Sequence, residues 1–232
     1  MCCTTVMPAT ASRTKVEATA SYGARVILHG SALDAFARAH EIADREGLTF
    51  VHPFDDESIV AGAASVGLEI LEDMREPDAI VVPVGGGGLI AGVAAAIKLT
   101  SPRVRVYGVE PIGAAAMRLS LDVGHATRLE SMSTIADGLA APMAGKLPFE
   151  LVNRFVDDVV TIGDGEIASA VAALLTRAKL LAEPAGAAAT AAVLAGAIPL
   201  APGGRIVAIV SGGNVDVDRL FAVLETAKTA AA

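Results

Sequence analysis

The 232-residue sequence predicts an α/β protein in which parallel sheets are flanked by helices. Short apolar runs alternate along the chain with longer segments of helical character. The run Ala79–Val84 is continuously apolar, as expected of a strand buried on both faces of a parallel sheet. Hydrophobic residues make up 53% of the chain and charged residues 19%, which provides a large core and excludes a disordered chain.

The N-terminal part of the chain predicts short strands, each followed by a helix. Pro8 ends the first strand, and Gly23 is placed to close the first helix as its C′ residue. Ser31-Ala-Leu-Asp34 resembles a capping box and is expected to open the second helix. In chain order, the predicted elements are a strand at Thr4–Met7, a helix at Arg13–Tyr22, a strand at Arg25–Leu28, a helix ending near Glu46, a strand at Thr49–Val51 and a helix at Ile59–Met74.

The rest of the chain repeats this alternation. Runs rich in Val and Ile are the predicted strands, and the segments rich in Ala and Leu between them are the predicted helices. In chain order, these are a strand at Ala79–Val84, a helix at Leu89–Lys98, a strand at Arg103–Val109, helices at Gly113–Leu121 and Pro148–Phe155, a strand at Val159–Ile162, helices at Asp164–Leu181 and Pro184–Leu194, a strand at Arg205–Val210 and a helix from about Val215 to Thr229.

Composition and charge exclude several classes of partner. The net charge is −8 with 3% aromatic residues, whereas nucleic-acid binding needs clustered Lys and Arg and usually stacking aromatics. The uncharged stretches Ala79–Ile97 and Pro184–Gly204 are long enough to span a membrane, but prolines and glycines divide both into strand, turn and buried helix. The N-terminus lacks the apolar region of a signal peptide, and the adjacent Cys2 and Cys3 form no disulfide framework. A cytoplasmic location is therefore expected.

The strongest local signal is a strand that ends in four consecutive glycines and is followed at once by a helix, in Val81-Val-Pro-Val-Gly-Gly-Gly-Gly-Leu-Ile90. Glycine lets the backbone approach a ligand closely, and the helix N-terminus adds partial positive charge. Together they are typical of a phosphate site that has no basic side chain. A tight strand-to-helix turn explains the glycines about as well, and the pattern is neither G-x-G-x-x-G nor a P-loop.

Three weaker signals lie further along the chain. Ser211-Gly-Gly-Asn214 follows an apolar strand, so two glycine turns would face one crevice at the carboxyl ends of parallel strands. Taken alone, Ser211 is better explained as a turn residue. Glu183 opens a helix, where the helix dipole also favours a carboxylate. Thr134-Ile-Ala-Asp-Gly138 contains an Asp-Gly turn, and most such turns are only turns.

Six motifs occur in an order that is more specific than any one of them. They are His52-Pro-Phe-Asp-Asp56, Gly85-Gly-Gly-Gly-Leu89, Gly108-Val-Glu-Pro111, Ile135-Ala-Asp-Gly138, Glu183-Pro-Ala-Gly-Ala187 and Ser211-Gly-Gly-Asn214. This order resembles the threonine dehydratase and serine racemase branch of the fold-type II pyridoxal-phosphate enzymes, which share the tryptophan synthase β-like fold. The resemblance covers essentially the whole chain. It implies a remainder of the small domain at residues 1–48 and a large cofactor-binding domain at residues 49–232.

The resemblance implies pyridoxal 5′-phosphate as cofactor and a small amino acid as substrate. L-Serine or L-threonine would lose the α-proton and the β-hydroxyl and yield a 2-oxo acid and ammonia. Ser211 would hydrogen-bond the pyridine nitrogen, and Phe54 and Glu183 would lie near the cofactor ring. The phosphate would lie on Gly85, Gly86, Gly87, Gly88 and Leu89. Complete relatives are expected to be homo-oligomers.

A metal ion is not expected. Glu110 matches the carboxylate near a cation in serine-racemase-like relatives, but Gly113-Ala-Ala-Ala-Met117 brings no second carboxylate. The histidines show no metal-ligand spacing. At most, Glu110 alone would contact a cation.

Two catalytic segments of the family do not occur in this sequence. The Schiff-base lysine of the family lies in a segment reading roughly Ser-Phe-Lys-x-Arg-Gly, and a catalytic serine lies in Ser-x-Gly-Asn-His. None of the five lysines has the required context: Lys15, Lys98, Lys146, Lys179 and Lys228. The resemblance therefore predicts an N-terminally incomplete family member that is inactive alone. The sequence would be a fragment, a gene model with a wrong start or a natural truncation. Serine racemase-type activity, and a non-catalytic module that binds a phosphate-bearing ligand or a homologous subunit, remain open alternatives.

Overall fold

The computed structural model describes residues 3–199 and 203–230, so Cys2 of the cysteine pair and Pro202 of the second apolar stretch lie outside it. The described residues form two compact units. The first contains the chain up to Val51 together with residues 214–221, and the second contains residues 52–213 and 222–230. No helix within these residues has both the length and the apolar character needed to cross a membrane. The domain boundary expected between residues 48 and 49 stays a prediction.

The first unit contains a small parallel sheet with two helices. Its strands β1 and β2 pair in parallel along their whole length. The carboxylate of Asp216 accepts hydrogen bonds from the first amides of α1, at Arg13 and Thr14, and so fixes the 214–221 stretch to this helix. The predicted capping box of Ser31 and Asp34 is confirmed at the start of α2. The elements are β1 (Thr4–Met7), α1 (Arg13–Ser21), β2 (Arg25–Leu28) and α2 (Ala32–Glu46).

The second unit contains a four-stranded parallel sheet with the strand order β5-β4-β3-β6. Because all four strands are parallel, their carboxyl ends lie at one edge of the sheet. The elements are α3 (Glu57–Asp73), β3 (Ala79–Pro83), α4 (Gly88–Thr100), β4 (Arg105–Pro111), α5 (Ala116–Val123), α6 (Lys146–Phe155), β5 (Asp158–Ile162), α7 (Asp164–Ala173), α8 (Pro184–Leu194), β6 (Ile206–Ala208) and residues 222–230 of α9 (Val217–Ala230), whose first residues belong to the first unit. The predicted architecture of parallel strands alternating with helices is thus confirmed.

Strand β3 lies at the centre of the core, and all five of its residues are buried. Its continuous apolar run follows from this position, since helices cover a parallel sheet on both faces. Helix α4 packs closely against α3 because Gly92 has no side chain. A Cβ atom at Gly92 would lie 2.3 Å from the carbonyl oxygen of Val60. This packing fixes the helix that begins at the four glycines.

Two sequence-based expectations for secondary structure are wrong. Helix α7 does not continue to Leu181: it ends at Ala173, passes through one π-helical turn at Leu174–Ala178 and stops at Lys179, whose φ is 61°. A left-handed residue of this kind terminates a helix, and it redirects the chain toward Glu183. Residues 49–51 form no strand, because no neighbouring strand among the described residues pairs with them and Val51 is 65% exposed.

Candidate active site at the glycine loop

The four glycines form the connection between the carboxyl end of β3 and helix α4. Gly86, Gly87 and Gly88 are buried, and Gly87 is the N-cap of the helix with a φ of 97°. Only glycine adopts this left-handed conformation without strain. The segment Gly85–Leu89 is called the glycine loop below.

The amides of the glycine loop are available to a ligand. No hydrogen bond joins the backbone N–H groups of Gly85–Leu89 to another residue that the structure describes, and no side chain caps α4. Buried N–H groups normally have an acceptor, and the first amides of a helix have none within the helix itself. The 13-residue helix also places partial positive charge at this end. These features fit the phosphate group of pyridoxal phosphate, because its oxygens accept hydrogen bonds and its charge is negative.

Phe54 and Met117 pack against the glycine loop. A Cβ atom at Gly86 would lie 2.3 Å from Cγ of Phe54, and one at Gly88 would lie 2.9 Å from Cα of Phe54. A Cβ atom at Gly87 would lie 2.5 Å from the terminal methyl of Met117. The glycines are therefore required by packing as well as by any ligand. Phe54 lies against the loop, and its contact with the cofactor stays a prediction.

Two further segments hold the glycine loop in place. The amide of Gly145 donates to the carbonyl oxygen of Gly86 at 3.0 Å. The second segment is the Asp-Gly turn of the sequence analysis. A Cβ atom at Gly85 would lie 3.5 Å from the carbonyl oxygen of Gly138 and 3.3 Å from Cα of Leu139, the next residue. This contact gives Ile135-Ala-Asp-Gly138 a structural role beside the loop.

Ser211 and Glu183 lie together at the same edge of the sheet as the glycine loop. Strand β6 pairs with β3, and the amide of Ile209 donates to Val81 O at 3.0 Å, so Ser211 follows directly beyond that edge. Ser211 is exposed. The amide of Glu183 donates to Gly212 O at 3.0 Å, and a Cβ atom at Gly212 would lie 2.6 Å from Oε1 of Glu183. The two predicted motifs are therefore in direct contact.

Glu110 is fully buried at the end of β4. Its two carboxylate oxygens accept hydrogen bonds from the amides of Met117 at 2.8 Å and Arg118 at 2.7 Å, so it caps helix α5. Burial raises the pKa of Glu110 to about 7, against the opposing effects of these two amides and of the Arg118 charge. Within residues 3–199 and 203–230, no group of three or more His, Cys, Asp or Glu side chains is arranged to hold a metal ion.

The raised pKa of Glu110 predicts a specific pH dependence of stability. An unfolded glutamate has a pKa near 4.5, so the folded state binds one more proton between that value and about pH 7. The free energy of unfolding is expected to fall by roughly 3 kcal/mol as the pH rises through this window. Denaturant unfolding between pH 4 and 8 measures the decrease. Glu110→Gln removes the titrating group and should flatten it, whereas Glu150→Gln, at an exposed carboxyl in α6, should not. Parallel curves for Glu110→Gln and the unmodified chain would contradict this assignment.

Asp55 helps to hold the glycine loop in place, and this role was not predicted from the sequence. The carboxylate of Asp55 accepts the amides of Lys146 and Leu147, each at 3.0 Å, and thereby places Gly145 against Gly86. The sequence indicates only a polar turn at His52-Pro-Phe-Asp-Asp56. The motif carries no signal for this contact, because an Asp in such a turn is normally explained by hydrogen bonds within the turn itself.

The chain is similar to known proteins over most of its length. A family model described as pyridoxal-phosphate dependent enzyme matches residues 1–212. The chain is 46% identical over 223 residues to an L-threonine ammonia-lyase of Thermotoga maritima, covering 95% of this chain and 55% of that protein. It is 42% identical over 217 residues to the L-threonine dehydratase catabolic TdcB of Escherichia coli K12, covering 93% of this chain and 66% of that protein.

Solved structures give the same result for the fold. The processed form of threonine deaminase isoform 2 from Solanum lycopersicum matches with a TM-score of 0.88 and 35% identity, covering 97% of this chain and 66% of that chain. Maize serine racemase matches with a TM-score of 0.88 and 34% identity, covering 99% and 71%. The chain spans between about half and two thirds of the curated relatives described above. The predicted resemblance to the threonine dehydratase and serine racemase branch is confirmed, and the chain belongs to the family of pyridoxal-phosphate dependent enzymes.

Proposed function

We propose that this chain supplies the cofactor-phosphate site of a pyridoxal-phosphate-dependent threonine or serine ammonia-lyase, which converts the amino acid to a 2-oxo acid and ammonia. The observation that carries the proposal is the set of amides at Gly85–Leu89 without acceptors among the described residues, at the same sheet edge as Glu183 and Ser211. The names of the relatives from Thermotoga maritima and Escherichia coli support the choice of reaction.

The residues of this chain would bind and orient the cofactor. The amides of Gly85–Leu89 would donate to the phosphate oxygens, and the Ser211 hydroxyl would donate to the pyridine nitrogen, leaving that nitrogen unprotonated. The carboxylate of Glu183, fixed beside Gly212, would lie near the ring. When bound, the cofactor withdraws electrons from the α-carbon of the amino acid. No residue of this chain is assigned to proton transfer, because no lysine here has the Ser-Phe-Lys-x-Arg-Gly context.

The proposal extends to domains and partners. Residues 1–48 would belong to a small domain and residues 49–232 to the large cofactor-binding domain. The substrate would be a small amino acid, the complete assembly a cytoplasmic homo-oligomer, and neither nucleic acid nor membrane a partner. Two other functions are distinguished by experiment: a serine racemase-type activity, favoured by the match to the maize enzyme, and a non-catalytic module that binds a phosphate-bearing ligand or a homologous subunit.

The proposal is tested by complementation. This chain is co-expressed with a segment of a family member that carries the Ser-Phe-Lys-x-Arg-Gly stretch, and the complex is assayed with pyridoxal phosphate. Release of 2-oxo acid and ammonia from L-threonine or L-serine is the expected result. Formation of D-serine from L-serine without comparable 2-oxo acid would establish the racemase alternative. A stable complex that binds the cofactor but shows neither reaction would contradict the ammonia-lyase assignment.

A further inference from the structure

The side chain of His52 stabilises the turn at residues 52–55, which packs against the glycine loop through Phe54. Its Nδ1 atom accepts hydrogen bonds from the amide of Phe54 at 3.2 Å and from the amide of Asp55 at 2.8 Å. A ring nitrogen that accepts two N–H groups carries no proton, so the neutral ring has its hydrogen on Nε2. The imidazole thereby does for this turn what the side-chain oxygen of Asn or Asp does in an Asx-turn.

Two lines of contact lead from this turn to the glycine loop. The first passes through Phe54, whose ring lies edge-on to the His52 ring at 4.6 Å between centroids. The same Phe54 ring occupies the space above Gly86, and the Phe54 backbone lies against Gly88. Because a side chain at Gly86 would overlap the ring, the position of Phe54 limits where the loop backbone can lie.

The second line passes through Asp55. Its carboxylate holds the amides of Lys146 and Leu147 at the start of α6. The preceding residue, Gly145, donates its amide to Gly86 O at 3.0 Å. One of the two amides bound by His52 therefore belongs to a residue that contacts the glycine loop directly, and the other to a residue that is linked to the loop through Gly145.

We propose that His52 is a positioning residue for cofactor binding: by accepting the amides of Phe54 and Asp55, it sets the geometry in which the amides of Gly85–Leu89 converge on the phosphate. This inference rests on the proposed role of the glycine loop in binding the cofactor phosphate. It assigns a ligand-binding consequence to a half-buried side chain that precedes the residues packed against the loop.

Three variants separate positioning from general stabilisation. His52→Asn keeps a side-chain acceptor, because the Asn oxygen can accept the amide of Phe54 two residues on, as in an Asx-turn. His52→Leu removes the acceptor and leaves the amides of Phe54 and Asp55 without one. His125→Leu makes the same chemical change at an exposed histidine of the same unit. Each full-length variant is titrated calorimetrically with pyridoxal 5′-phosphate and, separately, with inorganic phosphate. Amide exchange of Gly85–Leu89 is measured in the absence of either.

The expected result is a loss of affinity for both probes in His52→Leu by about tenfold, with faster exchange in the loop. His52→Asn should stay within about threefold of the unmodified chain, and His125→Leu should match it. Should His52→Leu fail to fold, His52→Gln takes its place with the same expectation, because its amide oxygen lies one bond farther from the backbone. Equal affinity in His52→Leu and the unmodified chain, or equal loss in His52→Asn and His52→Leu, would overturn the proposal while leaving the phosphate site intact.

Failure of the phosphate assignment is recognised separately. If the unmodified chain binds neither probe, the proposed role of the glycine loop is wrong, and amide exchange alone decides the positioning role. Faster exchange of Gly85–Leu89 in His52→Leu but not in His52→Asn would then still support positioning. Unchanged exchange in all variants would overturn it.

Discussion

The 232-residue chain incubated with pyridoxal phosphate and L-threonine or L-serine is expected to release 2-oxo acid no faster than the free cofactor does. The reaction needs an amine, a base for the α-proton and an acid for the departing hydroxyl. Positioned acid–base groups each contribute roughly 10²–10⁴-fold, and the lysine that supplies the first two in this family has no counterpart here. Three of the lysines are already engaged elsewhere: Lys98 with Asp157, Lys179 with the carbonyl of Thr176 and Lys228 with Glu225.

The measurement is continuous detection of 2-oxo acid, with free cofactor subtracted as background. Single replacement of each lysine by Ala is the control, and none of the five variants should differ from the unmodified chain. Turnover well above background that is lost in one lysine variant would show that this lysine substitutes for the missing one. Turnover that survives all five replacements would refute the argument from the absent lysine altogether.

Gly85→Asp is expected to weaken binding of pyridoxal phosphate by at least about a hundredfold while the chain remains folded. Two unit charges 4 Å apart repel by about 4 kcal/mol at an effective dielectric constant near 20, and the phosphate carries nearly two. The nearest atom to a Cβ at this position is Cα of Leu139 at 3.3 Å, which requires only a small local adjustment. Gly85 therefore tests charge at the site with little effect on packing.

Gly62→Asp is the matched control, because it adds the same charge at an exposed position of α3 where a Cβ meets nothing within 4 Å. Its affinity for pyridoxal phosphate should equal that of the unmodified chain. Equal affinity in Gly85→Asp, with an unchanged unfolding transition, would mean that the four glycines form only a turn. Gly86→Asp is a poorer test, since its side chain would strike the Phe54 ring and lower stability by about 1–3 kcal/mol.

The sheet was predictable from sequence because burial on both faces leaves a continuous apolar run, as at Ala79–Pro83. The capping box at Ser31 was equally readable, since its two hydrogen bonds are local. The end of α7 could not be predicted from the sequence. The sequence from Leu174 to Leu181 favours helix throughout, and the break at Lys179 arises where the chain turns to run beside Gly212 and Gly213.

In the candidate site, too, the location of the main motifs was predictable from the sequence and the contacts that support them were not. The glycine loop, Glu183 and Ser211 each follow a strand or begin a helix, so their common location at one sheet edge follows from the order of motifs. The supporting contacts are long-range: Asp55 reaches the start of α6, 91 and 92 residues farther along the chain. No local pattern encodes such a pairing. Likewise, the packing of Phe54 on Gly86 depends on how α3 and α4 approach each other through Gly92.

The central claim is that the amides of Gly85–Leu89 bind the cofactor phosphate. Site-resolved amide hydrogen exchange of the unmodified chain, with and without saturating pyridoxal 5′-phosphate, tests it most directly. The account predicts slower exchange at Gly85–Leu89 when the cofactor is present, and no such change with pyridoxal, which lacks the phosphate. Saturable binding of the cofactor with protection confined to other residues, or equal protection by pyridoxal, would contradict it.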